Sequence, residues 1–181
     1  MIRIEDYVPI VGQATIDELY LLSRNLSGKT IQNINSTAVG GGVAEILSRM
    51  MPMLKQLGVE ARWDVIKGDE KFFATTKKFH NGLHGVPVDI SANEYEHFID
   101  VNRQNADDLT FGDVVVVHDP QPVVLVEQRN EIGRNWVWRC HIDFSRPDPR
   151  IWKFLERYVT RYDTAVFSAP HLHESCRSPR F

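Results

Sequence analysis

Three short clusters in the 181-residue chain combine residue types that can do chemistry: Gly40-Gly41-Gly42, His118-Asp119, and His141 with Asp143. Glycines let a backbone approach a ligand closely, and a helix that follows them offers free N–H groups and a positive dipole end to an anion such as a phosphate. A tight turn that needs positive φ asks for only one or two glycines. Three in succession at the start of a helix therefore point to ligand approach. His118 and Asp119 can hydrogen-bond hydroxyls or exchange protons with them. Each also has a purely structural reading, His118 as a hydrogen-bonding residue and Asp119 as a turn former before Pro120. His141 and Asp143 carry the same two readings, and Asp143 could cap a later segment.

Other motifs fail at identifiable positions. A dinucleotide fingerprint starting at Gly40 would need a third glycine where Glu45 stands. Gly28-Lys29-Thr30 imitates the end of a phosphate-binding loop, but Ser23 occupies its first glycine position and a strand, not a helix, follows. No Gly-x-Ser-x-Gly elbow is present, and Cys140 sits in an apolar run as a buried, inert thiol. The remaining cysteine, Cys176, is not in a Cys-x-x-Cys pair, so neither a zinc site nor a disulfide framework is expected. His80 and His84 are four apart, but Gly82 and Gly85 are expected to interrupt a helix there, which makes the pair part of a loop. No metal ligands are assigned. His171 and His173 fall in a polar tail.

The elements that must position the clusters alternate. Apolar spacing predicts helices over Gln13–Asn25, from Val43 to Leu57, over Glu70–Phe79, over Ser91–Asn105 and over Arg150–Arg161. Pro52 lies inside the second of these, where a kink is expected. Strands are predicted over Thr30–Asn35, Val59–Ile66, Asp113–Val117, Trp136–Cys140 and Ala165–Phe167. The unbroken β-branched run of the third suits a strand covered on both faces. Such alternation implies an α/β fold with a doubly wound parallel sheet. In such sheets ligands bind beyond the carboxyl ends of the strands, and all three clusters lie at such ends.

The composition is that of one globular domain, 1–181, with 43% hydrophobic and 25% charged residues. A net charge of −3, without interleaved basic and aromatic clusters, argues against a nucleic-acid partner. No apolar run reaches spanning length and no secretory signal is evident, so no membrane partner and a cytoplasmic location are expected.

Four ordered runs make the sequence resemble one family. They are Asn35-Ser-Thr-Ala-Val-Gly-Gly-Gly-Val-Ala-Glu-Ile-Leu47, Trp63-Asp-Val-Ile-Lys-Gly68, His118-Asp-Pro-Gln-Pro122 and Trp136-Val-Trp-Arg-Cys-His-Ile-Asp143. The chain from about Ile31 to Pro170 is similar to the trehalose synthases of the glycosyltransferring type, retaining enzymes of the GT-B fold in the glycosyltransferase 4 group. The resemblance implies the Rossmann-like, acceptor-side N-terminal half of a GT-B fold. It further implies transfer of glucose from a nucleotide-diphosphate glucose to glucose, giving trehalose, with the nucleotide-sugar as substrate and no cofactor. Gly40, Gly41 and Gly42 would approach the donor diphosphate and sugar. His141 and Asp119 would be catalytic, His141 touching the transferred glucose. His118, Asp119, Arg139 and Asp143 would form the acceptor side.

Family members continue into a second, donor-binding domain, which is expected to be absent here, and the run after Ala169-Pro170 departs from the family pattern. Low activity of the chain alone follows, and either a separate C-terminal partner or self-association. The alternatives are a non-catalytic sugar- or nucleotide-binding module, or one half of a split enzyme. A nicotinamide-binding domain is disfavoured by the failed fingerprint.

Overall fold

The β-branched run Val114–Val117 lies at the middle of one parallel five-stranded sheet in the computed structural model, which describes residues 3–129, 135–143 and 145–168. The strands are β1 (Thr30–Asn35), β2 (Glu60–Val65), β3 (Val114–His118), β4 (Asn135–Cys140) and β5 (Thr164–Phe167), in the spatial order β2-β1-β3-β4-β5. Chain direction across the sheet reverses between β1 and β3. That is the topological switch point, where neighbouring crossovers leave on opposite faces and open a crevice at the strand ends. The doubly wound Rossmann-like reading of the sequence holds. Among the described residues, no helix is long and apolar enough to cross a membrane.

The helices are α1 (Val8–Val11), α2 (Gln13–Arg24), α3 (Gly42–Gln56), α4 (Glu70–Leu83), α5 (Ala92–Asp108) and α6 (Pro149–Val159). The main core lies between one face of the sheet and α4, α5 and α6. Ile34, Val115, Val117, Trp136, Trp138 and Cys140 point into it from alternating strand positions. Phe72, Phe79 and Phe98 meet them from the helices, and Phe79 stacks on Phe154 with centroids 5.5 Å apart. The strand residues between these face the other way. Asn33, Val116 and His118 share that second face, where α3 packs on β1 and β2.

Two expectations change. Helix α4 runs to Leu83 instead of stopping at Phe79, so His80 is helical and His84 forms its C-cap. Gly82 does not break the helix, because a close approach requires it. A Cβ there would lie 2.8 Å from Ile151 Cγ1 of α6, so glycine is what lets the two helices touch. The two imidazoles lie 4.6 Å apart on this turn, tilted at 56° to each other, contrary to the loop reading. Among the described residues they gain no third ligating side chain. The second change is an unanticipated 3-10 segment, Val123–Gln128, which buries Val123, Val124, Leu125 and Val126 directly after Pro122. An apolar run of this length fits strand and helix equally well on periodicity alone.

Candidate functional site

The site grows from the end of β3. His118, the last residue of β3, pairs in register with Arg139, and β4 ends at Cys140, so Asp119 and His141, the first residues beyond the two strands, leave the sheet side by side. Asp119 is the one non-glycine among the described residues with positive φ, at 62°. Three hydrogen bonds over-determine that left-handed conformation. Its N–H donates to the Arg139 carbonyl at 2.9 Å, and its own carbonyl accepts from the buried Trp138 indole N–H at 2.9 Å. Its carboxylate accepts the backbone N–H of His141 at 2.7 Å. A strained residue held this firmly is a common mark of a functional position.

The imidazoles of His118 and His141 lie nearly parallel, with His118 Nδ1 3.0 Å from His141 Nε2. On its other side, His118 Nε2 is 3.0 Å from Asn33 Oδ1 of β1. Burial dominates the electrostatics. It pushes the Asp119 carboxyl up to about 6 from 3.8, opposed by the N–H groups it accepts and by the Arg139 charge. It pushes His118 down to about 3, helped by His141 and Arg139, and His141 down to about 4, helped by Arg139. At neutral pH the site therefore holds two neutral imidazoles and a carboxylate close to its titration point. Such a carboxylate is suited to accepting a hydroxyl proton.

The glycine turn enters from β1. Asn35 holds its first residues: Oδ1 accepts from Trp63 Nε1 at 2.8 Å, and Nδ2 donates to the Thr37 carbonyl at 2.8 Å. Gly40 and Gly41 have φ of 73° and 109°, so the turn itself requires those two glycines. Gly42 does not have positive φ, and a Cβ there would meet nothing within 4 Å. The fold gives no reason for glycine at that position. Gly41 is the N-cap of α3 but no side chain caps the helix, which leaves the first N–H groups and the dipole end facing outward.

Of the other sequence-predicted residues, Arg139 sends its guanidinium to the carbonyls of Cys140 and Val166 at 3.1 and 3.2 Å. It thus links β4 to β5 while remaining close enough to bias the titration of all three site groups. Asp143 is exposed and accepts from Ser145, N–H at 2.9 Å and Oγ at 2.5 Å, which matches the turn-capping alternative. Cys140 is a buried free thiol, as expected. A groove of about 410 Å³ opens beyond β2 between Lys67, Asp69, His97, Gln104, Asn105 and Asp108, and no sequence-predicted site residue lines it.

Sequence reasoning missed Asn33 and Asn35. The available signal was their residue type: amides do not belong in the centre of a buried parallel strand unless their polar atoms are used. Both are buried, at 1% and 3% exposure.

A family model described as trehalose synthase, N-terminal domain, matches residues 33–174. A trehalose synthase of Pyrococcus horikoshii is 43% identical over 171 residues, which is 93% of this chain and 41% of that protein. One of Thermococcus litoralis is 41% identical over 175 residues, 95% of this chain and 42% of that protein. A trehalose phosphorylase of Grifola frondosa is 27% identical over 187 residues, 90% of this chain and 26% of that protein. The chain thus spans about two fifths of the length of the trehalose synthases it matches. Glycine turn, His118-Asp119 and His141 all lie inside the matched region, and the chain belongs to the family of trehalose synthase N-terminal domains.

Proposed function

We propose that this chain is the acceptor-side domain of a retaining glucosyltransferase that forms trehalose from a nucleotide-diphosphate glucose and glucose. The observation that carries the reading is Asp119, a carboxylate titrating near 6 and locked beside His141 at the strand ends. In the transfer, the bond between the anomeric carbon and the diphosphate oxygen breaks and a bond to an acceptor hydroxyl oxygen forms. The hydroxyl proton is released, and Asp119 is the group of this site suited to receive it. His141 contacts the transferred glucose, and His118, Arg139 and Asp143 belong to the acceptor side. The uncapped start of α3 and the bare backbone at Gly42 favour the donor diphosphate and sugar.

Positive side chains that neutralise a leaving diphosphate would come from a second domain or a separate polypeptide, so little transfer is expected from these residues alone. Calorimetric titration of the chain with glucose, trehalose and UDP- or ADP-glucose tests the reading. Sugar binding that weakens at least tenfold in Asp119→Ala supports it. A folded chain that binds none of the sugars refutes the assignment of this face.

A further inference from the structure

The chain of contacts Met51–Asn33–His118–His141 has a direction, and elementary hydrogen-bond chemistry fixes it. The Asn33 amide nitrogen lies 3.9 Å from the Met51 thioether, and its oxygen lies 3.0 Å from His118 Nε2. A thioether accepts weakly and cannot donate. The NH2 end of Asn33 therefore belongs toward Met51, because the flipped amide would set two acceptors against each other in a dry site. Asn33 and His118 are 1% and 4% exposed, so water is not at hand to rescue a mismatch.

An amide oxygen only accepts, so His118 must carry its proton on Nε2. Among the described residues no carboxylate pairs with the His118 ring; its partners are an amide oxygen and an imidazole, which leaves the buried ring neutral. Its Nδ1 is then a bare lone pair, 3.0 Å from His141 Nε2, and can only accept. His141 must therefore donate from Nε2.

We infer that Asn33 and His118 are positioning residues that hold His141 as its Nε2–H tautomer, leaving Nδ1 as an acceptor for a ligand hydroxyl. Among the described residues nothing else hydrogen-bonds the His141 ring, while its backbone N–H is held by Asp119. Ring and backbone of His141 are thus fixed by different elements, β1 acting through β3 on one side and the Asp119 turn on the other. The acceptor role of Nδ1 toward a sugar rests on the proposed function; the tautomer does not.

Nitrogen NMR of the 15N-labelled chain at pH 7.5 tests both parts. The expected spectrum has protonated Nε2 and bare Nδ1 on both rings, with a 15N–15N coupling through the hydrogen bond from His141 Nε2 to His118 Nδ1. A proton found on His118 Nδ1, or no coupling, overturns the relay. In Asn33→Leu the coupling should disappear and the His141 tautomers should mix; unchanged spectra in the folded variant would remove Asn33 from the role. Should that variant not fold, Asn33→Ser, whose side chain is too short to reach His118, makes the same comparison. Trehalose added to the wild type should shift His141 Nδ1 and leave Nε2 protonated. An intact relay with no sugar-induced shift would refute the sugar-site reading alone.

Discussion

Replacing Asp119 by asparagine should stabilise the fold at neutral pH while damaging the site. The folded protein holds this carboxyl at about 6 against 3.8 in a solvated reference, because burial penalises the charge. The sign follows from proton linkage. Between pH 3.8 and 6 the folded state binds a proton that the unfolded state does not, so this group's contribution is full below 3.8 and is lost as the pH rises through 6. A gap of about two pH units, at about 1.4 kcal/mol each, gives a cost of roughly 3 kcal/mol above pH 6. Residual solvent exposure of the half-buried side chain reduces this to about 1–2 kcal/mol. Asparagine suits the left-handed φ and can still accept the His141 N–H, but it carries no charge. Urea denaturation followed by far-UV circular dichroism at pH 4.5 and 8 measures the difference between variant and wild type. The variant should gain about 1–2 kcal/mol at pH 8 and roughly a third of that at pH 4.5. A stability difference independent of pH, or a variant less stable at pH 8 than at 4.5 relative to wild type, would refute the reasoning.

The histidines give the opposite sign. With His118 at about 3 and His141 at about 4, their stability is full above the usual 6.5 and is lost as the pH falls. Set against Asp119, the net loss between pH 6 and 4 should be below about 1 kcal/mol per pH unit once solvent screening of the half-exposed His141 ring is allowed for, read from urea midpoints, and it should reverse sign in His118→Phe/His141→Phe, where Asp119 titrates alone. Gly42→Ala should leave stability within about 1 kcal/mol of wild type, since its Cβ meets nothing, yet weaken nucleotide-sugar binding in titration calorimetry. Unchanged affinity would return the third glycine to a mere turn residue. Phe98→Ala, in the aromatic cluster with Phe72, Phe79 and Phe154, should cost about 3–5 kcal/mol in urea unfolding. A cost under about 1 kcal/mol would mean that this helical layer is not the main core.

The sheet was legible because its strands are chemically distinct. Val114–Val117 and Trp136–Cys140 could hardly be anything else, and their alternation with helical spacing implied the winding. What periodicity could not supply was helix extent at close contacts. Gly82 reads as a breaker in one dimension and turns out to be the contact point with Ile151. The positions of His118, Asp119, His141 and the glycines at strand ends were also legible, since strand polarity fixes which end carries ligands. Their partners were not. Asn33 is 85 residues from His118 and meets it only through the β1–β3 pairing.

The energetics of this corner argue for its being a site apart from any resemblance. Folding alone could fill the ends of β3 and β4 with a glycine and two apolar residues and avoid a left-handed aspartate, a destabilised carboxylate and two imidazoles that must stay neutral. Each of these lowers stability somewhere in the physiological pH range. Their liabilities also interlock, since the Asp119 turn holds the His141 backbone, Trp138 holds the turn, and Asn33 holds the ring that holds His141. Scattered polar residues would be free to relax independently; these are fixed by three adjacent strands of the sheet, β1, β3 and β4. A fold that bears such cost at one strand-end crevice, while its opposite face is packed with Phe and Trp, supports the ligand site proposed above.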